Sequence, residues 1–203
     1  MAISSSARIY PGVVLGEGVE VGDFAIVGHP YRGQAEACVA TVVGDGAVIR
    51  SHTVIYAGCR LGRGLQTGHG ALIREHTVIG DEVSIGSGTV VEFRVTIEDG
   101  VRIHSQAFVP EFSYLKRGCW LGPNVVLTNA KYPLSPGVKE RLRGPTVEEG
   151  AMIGANATIL PGLVIGRRAL VGAGSVVTHD VAEGTVVAGN PARVIASLAD
   201  LPY

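Results

Sequence analysis

Aromatic side chains are scarce in this chain: they make up 5% of 203 residues, with a single tryptophan. So few rings suit a narrow interior packed with small aliphatic groups. Charge of either sign is also missing in excess. Seventeen basic residues meet 18 acidic ones, and the net charge of −1 does not favour a nucleic-acid partner. No apolar run is long enough to span a membrane. The N-terminal stretch MAISSSARIYPG lacks the apolar core of a signal peptide. These absences make the cytoplasm the expected compartment and no membrane the expected partner. The three cysteines match neither a disulfide framework nor a zinc pattern, and no metal is expected.

What the chain has is glycine, 29 residues or about twice the usual share, and a six-residue period. From Val43 to Leu127 every sixth residue is aliphatic except Thr67, 15 positions in all. Apolar residues are 46% of the chain, so chance would fill only about half of those positions. A period of six fits neither a helix nor simple strand alternation; it marks a coiled parallel β-solenoid. Three units make a triangular coil of about 18 residues, with strands stacked roughly 4.8 Å apart. Glycine follows the aliphatic position repeatedly, as at Gly16, Gly22, Gly62, Gly86, Gly122 and Gly154. The expected reason is freedom to take positive φ at a sharp corner.

The repeat starts at Ile9, breaks after Val27 and again after Leu127, and resumes from Val147 to Val177. An all-β fold of about eight coils is expected for residues 1–203, read as a single domain. Loop insertions fall at about 28–41 and 129–146. The tail, about 192–203, is read as a short helical cap over the last coil, whose strand edges need cover. Cys59 and Cys119 sit two residues before repeat positions, where inward side chains are small, and read as structural. Cys38 reads as a free thiol in the first loop.

The pattern of an aliphatic residue, a glycine and four variable residues resembles that of the hexapeptide acyltransferases. That resemblance implies a left-handed β-helix, a homotrimer and acyl-coenzyme A as co-substrate. The stretch GANATILPGLVIGRRALVGAGSVVTHDV and the ending GNPARVI resemble their coenzyme A half, here about 147–193. The stretch VRIHSQAFVPEFSYLKRGCWLGPNVVLTNAKYP resembles N-acetyltransferases of nucleotide-linked amino sugars. The expected activity is transfer of acetyl from acetyl-CoA to the amine of a dTDP- or UDP-linked amino sugar. An O-acetyltransferase on a sugar or small hydroxylated acceptor is the alternative. A metalloprotein like the γ-type carbonic anhydrases is a weaker third, and a non-catalytic scaffold a fourth.

Residues 18 apart should share a corner, so Ala57, Glu75, Phe93, Glu111 and Asn129 form one column, ending at the second loop. Polar groups beside a flap make a default site. The resemblance places Glu111 and Asn129 near the substrate amine; the alternatives are a solvated charge and a corner residue. Some relatives carry an acidic residue at Ala130 and a histidine at Phe93, so this chain departs from them there. Histidine suits a general base near neutrality, and His104 leads, followed by His76. A direct attack by the amine, with the departing thiolate taking its proton, would need no base. Coenzyme A is expected along Gly154, Ala155 and Ala173, with Arg167, Arg168 and Arg193 near its phosphates. The loop cations Lys131, Lys139, Arg141 and Arg143 either meet a nucleotide phosphate or keep the flap soluble, with the second favoured.

Overall fold

The computed structural model describes residues 2–33 and 39–202. Cys38 lies outside the described residues. The chain winds as a parallel β-solenoid whose three faces carry eleven, nine and eight strands. Most strands are two residues long, because each face has room for one outward and one inward side chain before the next corner. The inward residue is the repeat aliphatic: Ile73, Val91, Val109 and Leu127 stack on the second face at essentially zero exposure. Register holds at 18 residues through the long block, as in Leu72↔Val90 and Val90↔Phe108. It becomes 32 across the second insertion, as in Tyr114↔Thr146.

The lone polar repeat residue, Thr67, is buried but not unpaired. Its hydroxyl oxygen accepts the Arg50 N–H at 3.0 Å and lies 3.1 Å from the Thr53 hydroxyl, which also reaches the Gly68 carbonyl. Other short side chains do similar work at the inner edge of corners. Thr77 donates to the Glu92 carbonyl at 3.0 Å and Thr89 to the His104 carbonyl at 2.9 Å. Cys59 does the same with its thiol, to the Arg74 carbonyl at 3.1 Å. Burial pushes the Cys59 thiol up to about 12 and raises Cys119 as well, so both are structural.

Three expectations need correction. The solenoid makes about ten turns rather than eight, since ten of the eleven first-face strands are parallel. The strand Ala2–Ile3 precedes the first counted repeat, and the final turn drops two residues. There Ile165 meets Val181 and Val171 meets Val187, a separation of 16 that a search in sixes does not follow. The tail is not a helical cap. Ala192–Ser197 folds back antiparallel on Thr185–Gly189, and only Leu198–Asp200 makes a single 3-10 turn. The returning strand pairs the last parallel strand of the first face, which satisfies the edge that a helix would have had to shield.

The third correction concerns glycine. Of the twelve glycines that follow a repeat position, eleven behind an aliphatic residue and Gly68 behind Thr67, only Gly28 has positive φ. At all the others but Gly172 the next coil is too close for a side chain: a Cβ on Gly86 would lie 2.2 Å from the Ser105 nitrogen. The left-handed residue comes two positions later, at Gly64, Gly88 and Gly174, or at His76, Gln106, Asn124 and Asn156.

Candidate functional site

Each coil has three corners, and the chemistry gathers unevenly among them. Both insertions leave from the second corner, between the second and third faces. One follows the strand Ile26–His29 and the other Val126–Leu127. Five coils separate them, about 24 Å at the usual strand spacing. Between them the corner carries Tyr56, then Arg74, Glu75 and His76, then Glu92, Phe93 and Arg94, then Glu111 and Phe112.

Asn129 and Arg143 form the neck of the second insertion, where the Arg143 N–H donates to the Asn129 carbonyl at 2.9 Å. Within the loop, Val138–Arg141 makes a 3-10 turn, and Arg141 donates to the Ser135 hydroxyl at 3.1 Å. Under the loop lies a cavity of about 530 Å³ lined by Asn129, Lys131, Tyr132, Ser135, Val138, Arg141, Arg143, Pro161 and Gly162. Pro161 and Gly162 belong to the next coil and supply its floor. Among the described residues, no hydrogen bond engages the Asn129 side-chain amide, and no carboxylate lines the cavity.

Glu111 sits one coil before Asn129 on the same corner but does not line that cavity. It faces a cluster in which Arg74 spans two carboxylates, Glu75 at 2.8 Å and Glu92 at 2.9 Å. Burial, and then the Glu92 charge, hold the Glu111 carboxyl above its ordinary range. Phe93 and Phe112 meet edge to face beside it, with centroids 6.4 Å apart. His76 shares the corner two coils earlier, and its Nε2 lies 3.0 Å from the Tyr31 hydroxyl of the first insertion.

His104 is elsewhere. It occupies the first corner, against the edge of Trp120 with centroids 4.8 Å apart. Burial, and then the charge of Arg102, hold it below its ordinary value, so the ring is neutral at pH 7. The corner column through His104 continues as Gly122, Gly154 and Gly172, with Ser105, Pro123, Ala155 and Ala173 beside it. Side chains are small here, and the backbone at Gly154 and Gly172 is partly exposed. Gly154, Ala155 and Ala173 lie together, above His104.

Of the three arginines, two do not join them. Arg167 and Arg168 stand on the third corner, Arg167 4.0 Å from Glu183 and Arg168 left-handed at φ 51. Arg193, on the returning strand Ala192–Ser197, pairs with Ala188, which stands over Gly172 at the end of that column, and its guanidinium donates to the Ala192 carbonyl at 2.9 Å. Within one chain, then, the candidates fall on separate corners: Asn129, Glu111 and His76 on the second, His104 and the small-residue column on the first. Reading the sequence missed the Arg74 bridge and the Pro161–Gly162 floor. The second could be found by carrying the 32-residue offset past the insertion, which sets position 161 over 129.

A β-solenoid of hexapeptide units with a looped polar corner defines the class, and comparison with known proteins agrees. Residues 144–179 match the family model described as bacterial transferase hexapeptide (six repeats), so the chain carries the repeat of that transferase family. A galactoside O-acetyltransferase from Lactococcus lactis is 30% identical over 128 residues, 61% of this chain and 57% of the relative. A 2,3,4,5-tetrahydropyridine-2,6-dicarboxylate N-acetyltransferase from Staphylococcus aureus is 57% identical over 49 residues, 24% of this chain and 20% of the relative. The chain spans about half the length of the curated relatives it matches more broadly. The solved UDP-N-acetylglucosamine acyltransferase of Bacteroides fragilis superposes on 97% of this chain and 75% of its own, with TM-score 0.55 and 17% identity. That likeness establishes the shared fold, the left-handed parallel β-helix. Among the described residues no helix is long and apolar enough to cross a membrane.

Proposed function

We propose that this chain transfers an acetyl group from acetyl-coenzyme A to the amine of a nucleotide-linked amino sugar. The observation that carries the reading is the second corner, where Asn129 lines a loop-covered cavity and Glu111 stands one coil before it, on the repeat of a transferase family. Asn129 offers an unengaged amide to a polar acceptor. Glu111 offers a carboxylate beside aromatic rings, suited to hold an amino group while its nitrogen attacks the thioester carbonyl. The new C–N bond replaces the C–S bond, and the amine proton leaves on the thiolate or on a neutral histidine.

The active assembly is a homotrimer in this reading. The outward column of the second face is apolar along most of its length: Ile26, Val54, Leu72, Val90, Phe108 and Val126. If three copies turn that face toward a threefold axis, the first corner of each chain meets the second corner of the next. His104 then lies level with the neighbour's Glu111, since both belong to one coil. The backbone column of Gly154, Ala155 and Ala173 approaches the neighbour's loop. Such an arrangement gives the separated candidates a common cleft and lays the pantetheine arm along the small residues. Arg193 stands at the end of the first-corner column, whereas Arg167 and Arg168 would meet coenzyme A phosphates only from outside that cleft. They are the weaker part of the proposed set.

The neutral state of His104 favours one second reading, O-acetylation of a hydroxylated acceptor with His104 as base. A thiol-release assay with acetyl-coenzyme A and a panel of nucleotide-linked amino sugars tests the first. Asn129→Ala should lower turnover about tenfold or more with the trimer intact. Unchanged kinetics would remove Asn129 from the site. His104→Ala separates the two readings, because hydroxyl transfer requires the base while amine transfer tolerates its loss.

A further inference from the structure

The cavity beneath the second insertion is bordered by three basic residues and no acidic one. Lys131, Arg141 and Arg143 all line it, and among the described residues none of the three makes an ion pair. Some cations elsewhere are paired, as Arg63 with Asp81, Arg74 with Glu75 and Lys116 with Glu148. All three residues border one space of about 530 Å³.

The Arg143 backbone is tied at the neck by its bond to Asn129. Arg141 spends one guanidinium nitrogen on Ser135 and the Pro136 carbonyl, which aims the group and leaves its other donors unspent. Tyr132 adds a wall, and the Asn129 amide an uncharged donor. All three cations are solvent-exposed, so their attraction for an anion falls with salt. Guanidinium forks match phosphate oxygens two at a time.

We infer that this cavity is a diphosphate subsite, built by Lys131, Arg141 and Arg143 and completed by Asn129. The inference rests on the acyl-transfer reading only for the source of the diphosphate, which is either the nucleotide of the acceptor or coenzyme A. The subsite lies on the second corner, at the same height as the column beginning at Gly122 and Gly154, so either molecule could reach it in the trimer.

Calorimetric titration of the full chain tests it, with inorganic pyrophosphate, UDP, dTDP and coenzyme A as separate probes. Arg141→Gln with Arg143→Gln should weaken pyrophosphate binding about tenfold or more, and Lys131→Gln by a smaller factor. Loss confined to UDP and dTDP assigns the site to the acceptor; loss confined to coenzyme A assigns it to the donor. Unaltered binding of all four probes in a variant that melts like the parent would overturn the inference, as would a parent that binds none of them. Should the double variant not fold, Lys131→Gln and a fall in pyrophosphate affinity with added salt carry the same decision. Absence of acyl transfer with pyrophosphate binding still lost in the variants would sink the functional reading alone.

Discussion

Gly86 and Gly88 stand two residues apart on one corner and are glycine for different reasons, which substitution can separate. Gly88 has φ 65, and a Cβ there would touch nothing nearer than the Gln106 Cγ at 3.7 Å. Its alanine variant loses only the left-handed backbone preference, about 1–2 kcal/mol, partly offset by the lower entropy of the unfolded chain. A net cost of about 1 kcal/mol follows. Asparagine takes the left-handed region more easily, so Gly88→Asn should cost less than Gly88→Ala.

Gly86 has an ordinary φ, but its Cβ would lie 2.2 Å from the Ser105 nitrogen and 2.4 Å from the His104 carbonyl carbon. Relief requires the two coils to part by about 1 Å, which breaks the 2.7 Å bond from the Gly86 N–H to the Ile103 carbonyl. Overpacking plus a lost backbone hydrogen bond amounts to about 2–4 kcal/mol. Asparagine brings no remedy here and should be no better than alanine. Denaturant unfolding of the four variants measures the differences. If Gly86→Ala costs no more than Gly88→Ala, or if asparagine rescues position 86 relative to alanine, close approach is the wrong explanation for this glycine column. The same column holds His104 and, further along, Gly154, so the result bears on whether bare backbone there is a packing requirement.

Glu111→Gln should stabilise the protein at neutral pH. The native state holds this carboxyl above its ordinary range, so ionising it costs stability from the ordinary carboxylate range upward, in full above the raised native value. Urea midpoints should show a gain for the variant at pH 7 that disappears below about pH 4, while turnover falls. An equal gain at both pH values would mean that the charge is not the cause. Cys59 and Cys119 should resist thiol reagents, since burial raises both. In a Cys38→Ser background, intact-mass analysis after treatment with a disulfide reagent should show no labelling until the protein unfolds. Labelling of the native protein would contradict the packing at those two corners.

The inward half of this protein was legible because the period binds it: one aliphatic residue per face per turn, with no room for anything larger or charged. Even Thr67 respects the rule by bonding to Thr53 and the Arg50 backbone. Legibility failed where the period itself changed. The last turn drops two residues, so Val181 and Val187 escape a count in sixes and the tail looked free to form a helix. The glycines were placed correctly and explained wrongly, because a sequence does not reveal whether a missing side chain serves φ or a neighbouring backbone.

Outward side chains obey no such period, so the site was only partly readable. The 18-residue column set Glu111 before Asn129, and the structure agrees. It could not say that Glu111 looks toward Arg74, Glu75 and Glu92 rather than into the loop cavity, since that depends on rotamers and on what Arg74 already holds. Nor could proximity along the chain stand in for a shared corner: His104 is seven residues from Glu111 yet lies across a full face from it. On a triangular solenoid two corners of one chain never close on each other, because the core keeps them apart. A reaction that needs both His104 and Glu111, or both the Gly154 backbone and the loop, has to borrow one edge from a second copy. The apolar outward column of the second face, bounded by those two corners, is the surface that would bring the second edge into place.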